Sequence, residues 1–283
     1  MKHRKTTILT SILAGASLML AGCGSNDKTT YVTTIVQNAS EGLDLQAVTD
    51  LATKAKSAED FEQKLNAKDN DYNNMDLDAD GKVDYIKVTE IAKDKQKGFS
   101  LTTELSAEEG EEQEIATIQF EQEEGSDDVT VQTHGNSQIY GHNHYYHHRT
   151  SMTDVLIMGY LLSSHRPYAS PWGYNHYPSY YSSYRTRPSS DYSRKLRSKP
   201  GYSRIKRSSS PVVKTPIKSP NFNKTATKIK APLNNPTSSQ RSFQKRNPAT
   251  TRVVSKGFGG SSSSSRFGSS SSSRSRSSFG GGK

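Results

Sequence analysis

The sequence predicts an α+β fold in which two N-terminal helices pack on a four-stranded antiparallel meander, followed by a long disordered basic tail. Three observations carry that expectation. Apolar residues recur about every four positions between Leu43 and Leu65, and four segments between Ile86 and Val131 alternate apolar with polar side chains. Beyond Pro167 neither period persists. The 283 residues are only 31% hydrophobic, against roughly 45–50% in globular domains counted with glycine. A single core spanning the chain is therefore excluded, and the ordered part is expected to be a domain of about a hundred residues.

In chain order, the first element is a leader. Met1 to Lys5 is positively charged, and Ile8 to Leu20 is mostly apolar. That run is too short for a hydrocarbon layer of ~30 Å, and its flanks suit a secretory signal over residues 1–22. It ends Leu20-Ala21-Gly22-Cys23, which resembles the lipobox of bacterial lipoproteins. The resemblance implies that Cys23 receives a diacylglycerol thioether and further acylation such as palmitate, and becomes the mature N-terminus. It implies a lipid-anchored place in the cell envelope, in the outer membrane if the envelope is Gram-negative, because residue 24 is Gly and not Asp. The alternative is a free or buried cysteine beside an ordinary signal. Cys23 is the single cysteine, so neither a disulfide framework nor a thiolate zinc site is available.

Residues 23–40 read as a tether, and residues 41–140 as a small α+β domain. Leu43, Ala47, Leu51 and Ala55 place an apolar stripe on one helical face. Ser57 with Asp60 reads as the capped start of a second helix carrying Phe61 and Leu65 one turn apart. The strands follow: Ile86 and Val88 in the first, then Phe99, Leu101 and Leu105, then Ala116, Ile118 and Phe120, then Val129 and Val131. Thr, Glu, Gln, Lys and Ser stand between them, giving each strand one dry and one wet face.

Between the second helix and the first strand stands Asp76-Leu77-Asp78-Ala79-Asp80-Gly81-Lys82-Val83-Asp84. Acids at positions 1, 3, 5 and 9 and a glycine at 6 can wrap one hard cation, with the Lys82 carbonyl as a ligand at position 7. The segment resembles the start of an EF-hand loop, and more closely the Asp-rich turns of dockerins and of FG-GAP or VCBS repeats. The resemblance implies Ca2+ held by Asp76, Asp78, Asp80, Lys82 and Asp84. Position 12, a bidentate Glu in an EF-hand, is Lys87 here, which argues against a helix–loop–helix sensor. The other reading is an ordinary acidic turn.

Residues 141–166 form a His/Tyr-rich collar and a short apolar helix. His142, His144, His147 and His148 are imidazoles that suit a transition metal, but the ordered spacing of a closed site is not visible and a solvated strand end is the favoured reading. Val155 to Leu162 is apolar almost all round but too short to cross a bilayer, so it packs on the domain, lies at a membrane interface or joins a partner.

Charge divides the chain. Residues 24–150 hold 26 Asp+Glu against 11 Lys+Arg, and residues 151–283 hold 24 Lys+Arg against Asp154 and Asp191 alone. The low-complexity segment 167–283 is rich in Ser, Tyr, Arg and Gly and predicts disorder. In an exported protein its partners are anionic envelope polymers or lipids rather than intracellular nucleic acid. No nucleophile motif accompanies the acids, so the sequence predicts no enzyme. It predicts a cell-envelope lipoprotein whose calcium-stabilised domain, anchored to the membrane by lipid, presents a basic arm to anionic envelope components or partner proteins. An envelope metal-handling protein using the histidines is the alternative. The pairing of a small Asp-loop domain with a Tyr- and Ser-rich basic tail also resembles other bacterial lipoproteins.

Overall fold

The computed structural model describes residues 37–93 and 96–249. The expected leader over residues 1–22, Cys23 and residues 250–283 lie outside the described residues.

Helix α1 (Leu45–Lys54) starts where the Asp44 carboxylate accepts hydrogen bonds from the backbone N–H groups of Gln46 and Ala47. Helix α2 (Ala58–Asn66) starts where the Ser57 hydroxyl accepts from Asp60 N–H. Leu45, Ala47, Val48, Leu51, Ala52, Phe61 and Leu65 are buried, so each helix turns its apolar stripe toward one core.

Strands β1 (Lys87–Lys93), β2 (Gln96–Glu104), β3 (Glu112–Gln122), β4 (Asp128–Gly135), β5 (Tyr145–Ser151) and β6 (Lys206–Ser208) form one antiparallel sheet in that order. The register sets the two faces. Phe99, Ile118, Thr133 and Tyr146 are cross-strand partners in one row, and Phe120, Val131 and His148 in the next. Helices α1 and α2 cover this face: Phe61 stacks on Phe99 at 5.6 Å, Phe99 meets Phe120 edge-on at 5.5 Å, and the Thr49 hydroxyl meets that of Thr133 at 2.8 Å. One residue slip would turn the whole row outward.

The six-stranded sheet overturns the expected four-stranded meander with two helices and a free tail. The fifth strand is Tyr-Tyr-His-His-Arg-Thr-Ser, which has no apolar alternation to betray it. The sixth comes from the basic region. Of the residues expected to be a disordered tail, 167–249 are part of the fold. Tyr192 and Leu196 of α5 (Ser189–Arg197, the fifth helix after the short α3 at Ser137–Tyr140 and α4 at Ile157–Leu162) are buried in the main core, with Ala226, Ile229 and Ala231.

Between β6 and α6 (Ser238–Arg246) the chain runs as a strap, and over residues 212–221 it crosses the second face of the sheet. The alternating polar residues hold it there. The Gln119 side chain donates to the Thr215 carbonyl (2.8 Å) and accepts from Ile217 N–H (2.8 Å), as a neighbouring strand would. Gln132 accepts from Val212 N–H at 2.7 Å, and Asn221 donates to the Ser100 hydroxyl at 2.9 Å. Further on, the Glu111 carboxylate accepts from the N–H groups of Thr227 (3.0 Å) and Lys228 (2.9 Å). The composition argument for disorder counts apolar burial, and here the ordering entropy is offset by hydrogen bonds from a complementary sheet face as well.

Gln119 is buried, and truncating it leaves two strap groups without partners. We expect Gln119→Ala to lower stability by about 1–3 kcal/mol in a urea titration, while Lys214→Ala on the exposed side of the strap stays within about 0.5 kcal/mol.

Candidate metal centre

The Asp-rich loop is built between two fixed ends. On the α2 side, Asn66 holds the start of β1 by donating to the Ile86 carbonyl (2.7 Å) and accepting from its N–H (2.8 Å). Asn73 caps the loop entrance by accepting from Met75 N–H at 2.9 Å and donating to the Asp84 carbonyl at 2.7 Å. Met75 and Leu77 are fully buried, so alternation sends Asp76 and Asp78 to the opposite side.

The loop closes on itself through its acids. Asp76 accepts from the N–H groups of Asp80 (3.1 Å) and Gly81 (2.9 Å), Asp78 from Asp80 N–H (3.0 Å), and Asp80 from Lys82 N–H (2.7 Å). Gly81 takes φ +83°, the left-handed conformation that glycine adopts without a Cβ penalty. Asp76, Asp78 and Asp80 thereby form a group that could hold a metal ion, each offering a carboxylate oxygen within 4.8 Å of the others.

Of the other expected ligands, Asp84 turns one oxygen to Leu77 N–H at 2.6 Å. Lys82 stands in a one-residue antiparallel bridge with Arg185, and its ammonium lies 3.7 Å from Asp80. Lys87, at the position of the missing EF-hand glutamate, is ion-paired with Glu104. Glu104 in turn lines a cavity of about 80 Å³ together with Asp78, Asp80 and Asp84. No local pattern signals that placement, because Glu104 arrives from the far end of β2.

Electrostatics shows what this arrangement lacks. Burial, then the neighbouring Asp78 charge, pushes Asp76 up to about 7 against the opposing hydrogen bonds from Gly81 and Asp80. Burial and Asp80 raise Asp78, and burial and Asp78 raise Asp84 well above the usual carboxylate range. Among the described residues, the Lys82 ammonium lies near Asp80, and Lys230 acts on Asp78. A cluster of part-buried carboxylates that repel one another fits a bound cation, and an all-oxygen donor set suits a hard one.

The Tyr-rich segment encloses the loop. Val83 N–H donates to the Tyr184 carbonyl at 2.8 Å, and Thr186 N–H to the Gly81 carbonyl at 3.2 Å. Tyr181 and Tyr184 pack on Val83 and Tyr85 in a small second core. The Leu77 carbonyl accepts from Lys230 (2.8 Å) and Ala231 (2.9 Å) on the other side.

The structure does not gather the four histidines. His142 contacts Asn235 at 3.2 Å, and His144 lies 3.4 Å from the Arg207 guanidinium. His147 is paired with Gln132, and His148 with Val131, so strand alternation sends them to opposite faces. Two other buried acids, which sequence reasoning missed, anchor the fold. Glu62 accepts from the Tyr85 hydroxyl (2.5 Å), the Ser170 hydroxyl (2.8 Å) and Val88 N–H (2.8 Å). Glu90 accepts from the Tyr160 hydroxyl (3.0 Å) and Tyr168 N–H (3.1 Å) and pairs with His165 at 3.0 Å.

Compared with protein families, curated proteins and solved structures, the chain matches none.

The histidines make stability depend on pH. Burial lowers His134, His144, His147 and His148 below the ordinary imidazole value, aided by His144 beside His134, Arg207 beside His144, Lys206 beside His147 and Arg204 beside His148. The unfolded chain then takes up protons first as pH falls through ~6.5, which favours unfolding. His165, raised chiefly by its hydrogen bond to Glu90, works in the opposite sense, its contribution fading as pH rises through its folded value. The raised carboxyls of Asp76, Asp78 and Asp84 act in the same sense as His165, since the folded chain protonates them first, so the histidine contribution is read by difference: replacing His134 and His147 by Gln should make the change in urea midpoint from pH 7 to pH 5.5 more favourable to the folded state than in the parent chain.

Proposed function

We propose that the chain is a non-enzymatic cell-envelope lipoprotein, anchored through lipid on Cys23, whose domain is stabilised by Ca2+ at Asp76, Asp78 and Asp80. One observation carries the ion: three carboxylates converge within 4.8 Å in a closed loop, with two further acids, Asp84 and Glu104, on the adjoining cavity. The anchor rests on Leu20-Ala21-Gly22-Cys23 and its resemblance to a lipobox.

The role of the ion in this reading is structural. It neutralises acids that repel, and it fixes the loop to which both the Tyr-rich segment and the end of the strap are hydrogen-bonded. The domain then presents a basic surface to anionic envelope polymers or lipids. Residues 204–230 contain eight Lys+Arg and no acid. Lys224 and Lys228 are paired with Glu112 and Glu108, and the chain exposes Arg204, Lys206, Arg207, Lys214 and Lys218.

Ca2+ bound only by the folded state stabilises it by mass action, about 2.7 kcal/mol at a free concentration of 100 Kd. Chelation should therefore lower Tm, millimolar Ca2+ should restore it, and Asp78→Asn should remove the difference. An identical Tm with chelator and with Ca2+ counts against the ion.

The anchor has its own test. Cys23→Ser should leave an unprocessed precursor that no longer incorporates labelled fatty acid; continued labelling would refute the lipid attachment.

A further inference from the structure

The strap does not lie flush on the sheet. Between residues 216–222 of the strap and the second face of β3 and β4 is a cavity of about 350 Å³, at the lower end of the ~300–1,000 Å³ typical of small-molecule sites. It lies on the opposite face of the sheet from helices α1 and α2.

Its two walls differ in chemistry. The sheet wall offers the hydroxyls of Thr117, Ser137 and Tyr145 and the His134 imidazole. These groups donate as well as accept, and none is engaged by a hydrogen bond elsewhere among the described residues. His134 and Tyr145 stack at 4.2 Å with their planes 6° apart, which fixes both rings in place. The strap wall is drier, with Ile217 and the half-exposed ring of Phe222.

Charge narrows the occupant further. Glu114 lines the cavity, but its carboxylate is engaged by Ser100 at 3.0 Å and by Ser219 and Asn136. Lys218 is a cation of the lining, with its ammonium 4.2 Å above the Phe222 ring and in no ion pair among the described residues. One lysine beside a carboxylate does not make a site for a polyphosphate, which needs several cations or a row of backbone donors. An apolar ligand would leave four polar groups of the sheet wall dry and unpaired, at a cost for each.

The geometry points to a saccharide ring as the ligand of this cavity, its hydroxyl edge toward Thr117, Ser137, Tyr145 and His134 and its C–H face toward Phe222 and Ile217. A pyranose has this two-sided character, with hydroxyls that both donate and accept around a rim and an apolar face that packs on an aromatic ring. Lys218 adds a preference for a ring that carries a carboxylate. The site stands apart from the Asp-rich loop and depends on neither the lipid anchor nor the ion.

The test is ligand-observed NMR and calorimetry on the full chain with glucose, glucuronic acid and cyclohexanol as probes. Both sugars should bind with Kd on the order of millimolar, as expected for a single ring with few anchoring groups. Glucuronic acid should bind more tightly than glucose, and Lys218→Met should abolish that advantage. Tyr145→Ala or Phe222→Ala should weaken both sugars about tenfold, equivalent to ~1.4 kcal/mol. Asp78→Asn, in the loop, should leave both unaffected. Thr117→Trp should fill the cavity and block binding; if that variant does not fold, the partly buried Tyr145 and the half-exposed Phe222 carry the test. No binding of either sugar at tens of millimolar, binding indifferent to Tyr145→Ala and Phe222→Ala, or cyclohexanol binding as well as glucose would each overturn the assignment.

Discussion

A backbone N–H or carbonyl taken out of water must find a partner, and in this chain buried amides and carboxylates supply many of them. Apolar residues are scarce after residue 167, so the strap and the Tyr-rich segment cannot be held by hydrophobic area alone. Gln119 clamps the strap backbone by both ends of its amide, Gln132 takes a third strap group, and Glu111 takes two more. Gln113 accepts from Ala226 N–H (3.3 Å) and from the Gln240 side chain (3.2 Å), which joins α6 to β3. Each bond contributes only about 1 kcal/mol net, but an orphaned partner costs more, and that asymmetry makes the arrangement specific.

Glu62 applies the same logic at the other end of the molecule. Its side chain is fully buried on α2, yet it accepts from β1, from Tyr85 and from Ser170, and so ties the first helix pair to a segment more than a hundred residues away. Burial raises its pKa and those three donors oppose the rise, the Tyr85 bond most. The tyrosines that follow Ser170 serve two purposes. Their rings supply apolar area, as in the small core of Val83, Tyr85, Tyr181 and Tyr184. Their hydroxyls reach carbonyls: Tyr192 donates to Tyr72 at 2.7 Å and Tyr184 to Asn73 at 3.2 Å. The Tyr-rich stretch, which the composition assigned to a disordered tail, is here an amphipathic packing layer.

The Asp-rich loop depends on this layer. Residues 81–83 pair with 184–186, and Leu77 is bonded to residues 230 and 231, so the loop's conformation and the position of the late segments are determined together. Repulsion among Asp76, Asp78 and Asp84 is then a strain at a junction of three parts of the chain. Relief of that strain by a cation would reach well beyond the loop.

By itself the sequence determined the elements whose partners are near in the chain. The stripe from Leu43 to Ala55, the cap at Ser57, the period-two runs from Ile86 to Val131 and the spacing of Asp76, Asp78 and Asp80 are all local patterns, imposed by helix pitch, strand pleat and turn geometry. Tertiary structure alone decided the rest. Strands β5 and β6 have no apolar alternation and exist because β4 offers an edge to Tyr145–Ser151 and β5 then offers one to Lys206–Ser208. The strap is ordered because Gln119 and Gln132 meet backbone that lies 80 to 98 residues later. His147 and His148 are neighbours in sequence and on opposite faces in space. The polar face of a strand looks the same in sequence whether water or another segment covers it, since the hydrogen-bonding groups are identical and only the fold chooses the partner.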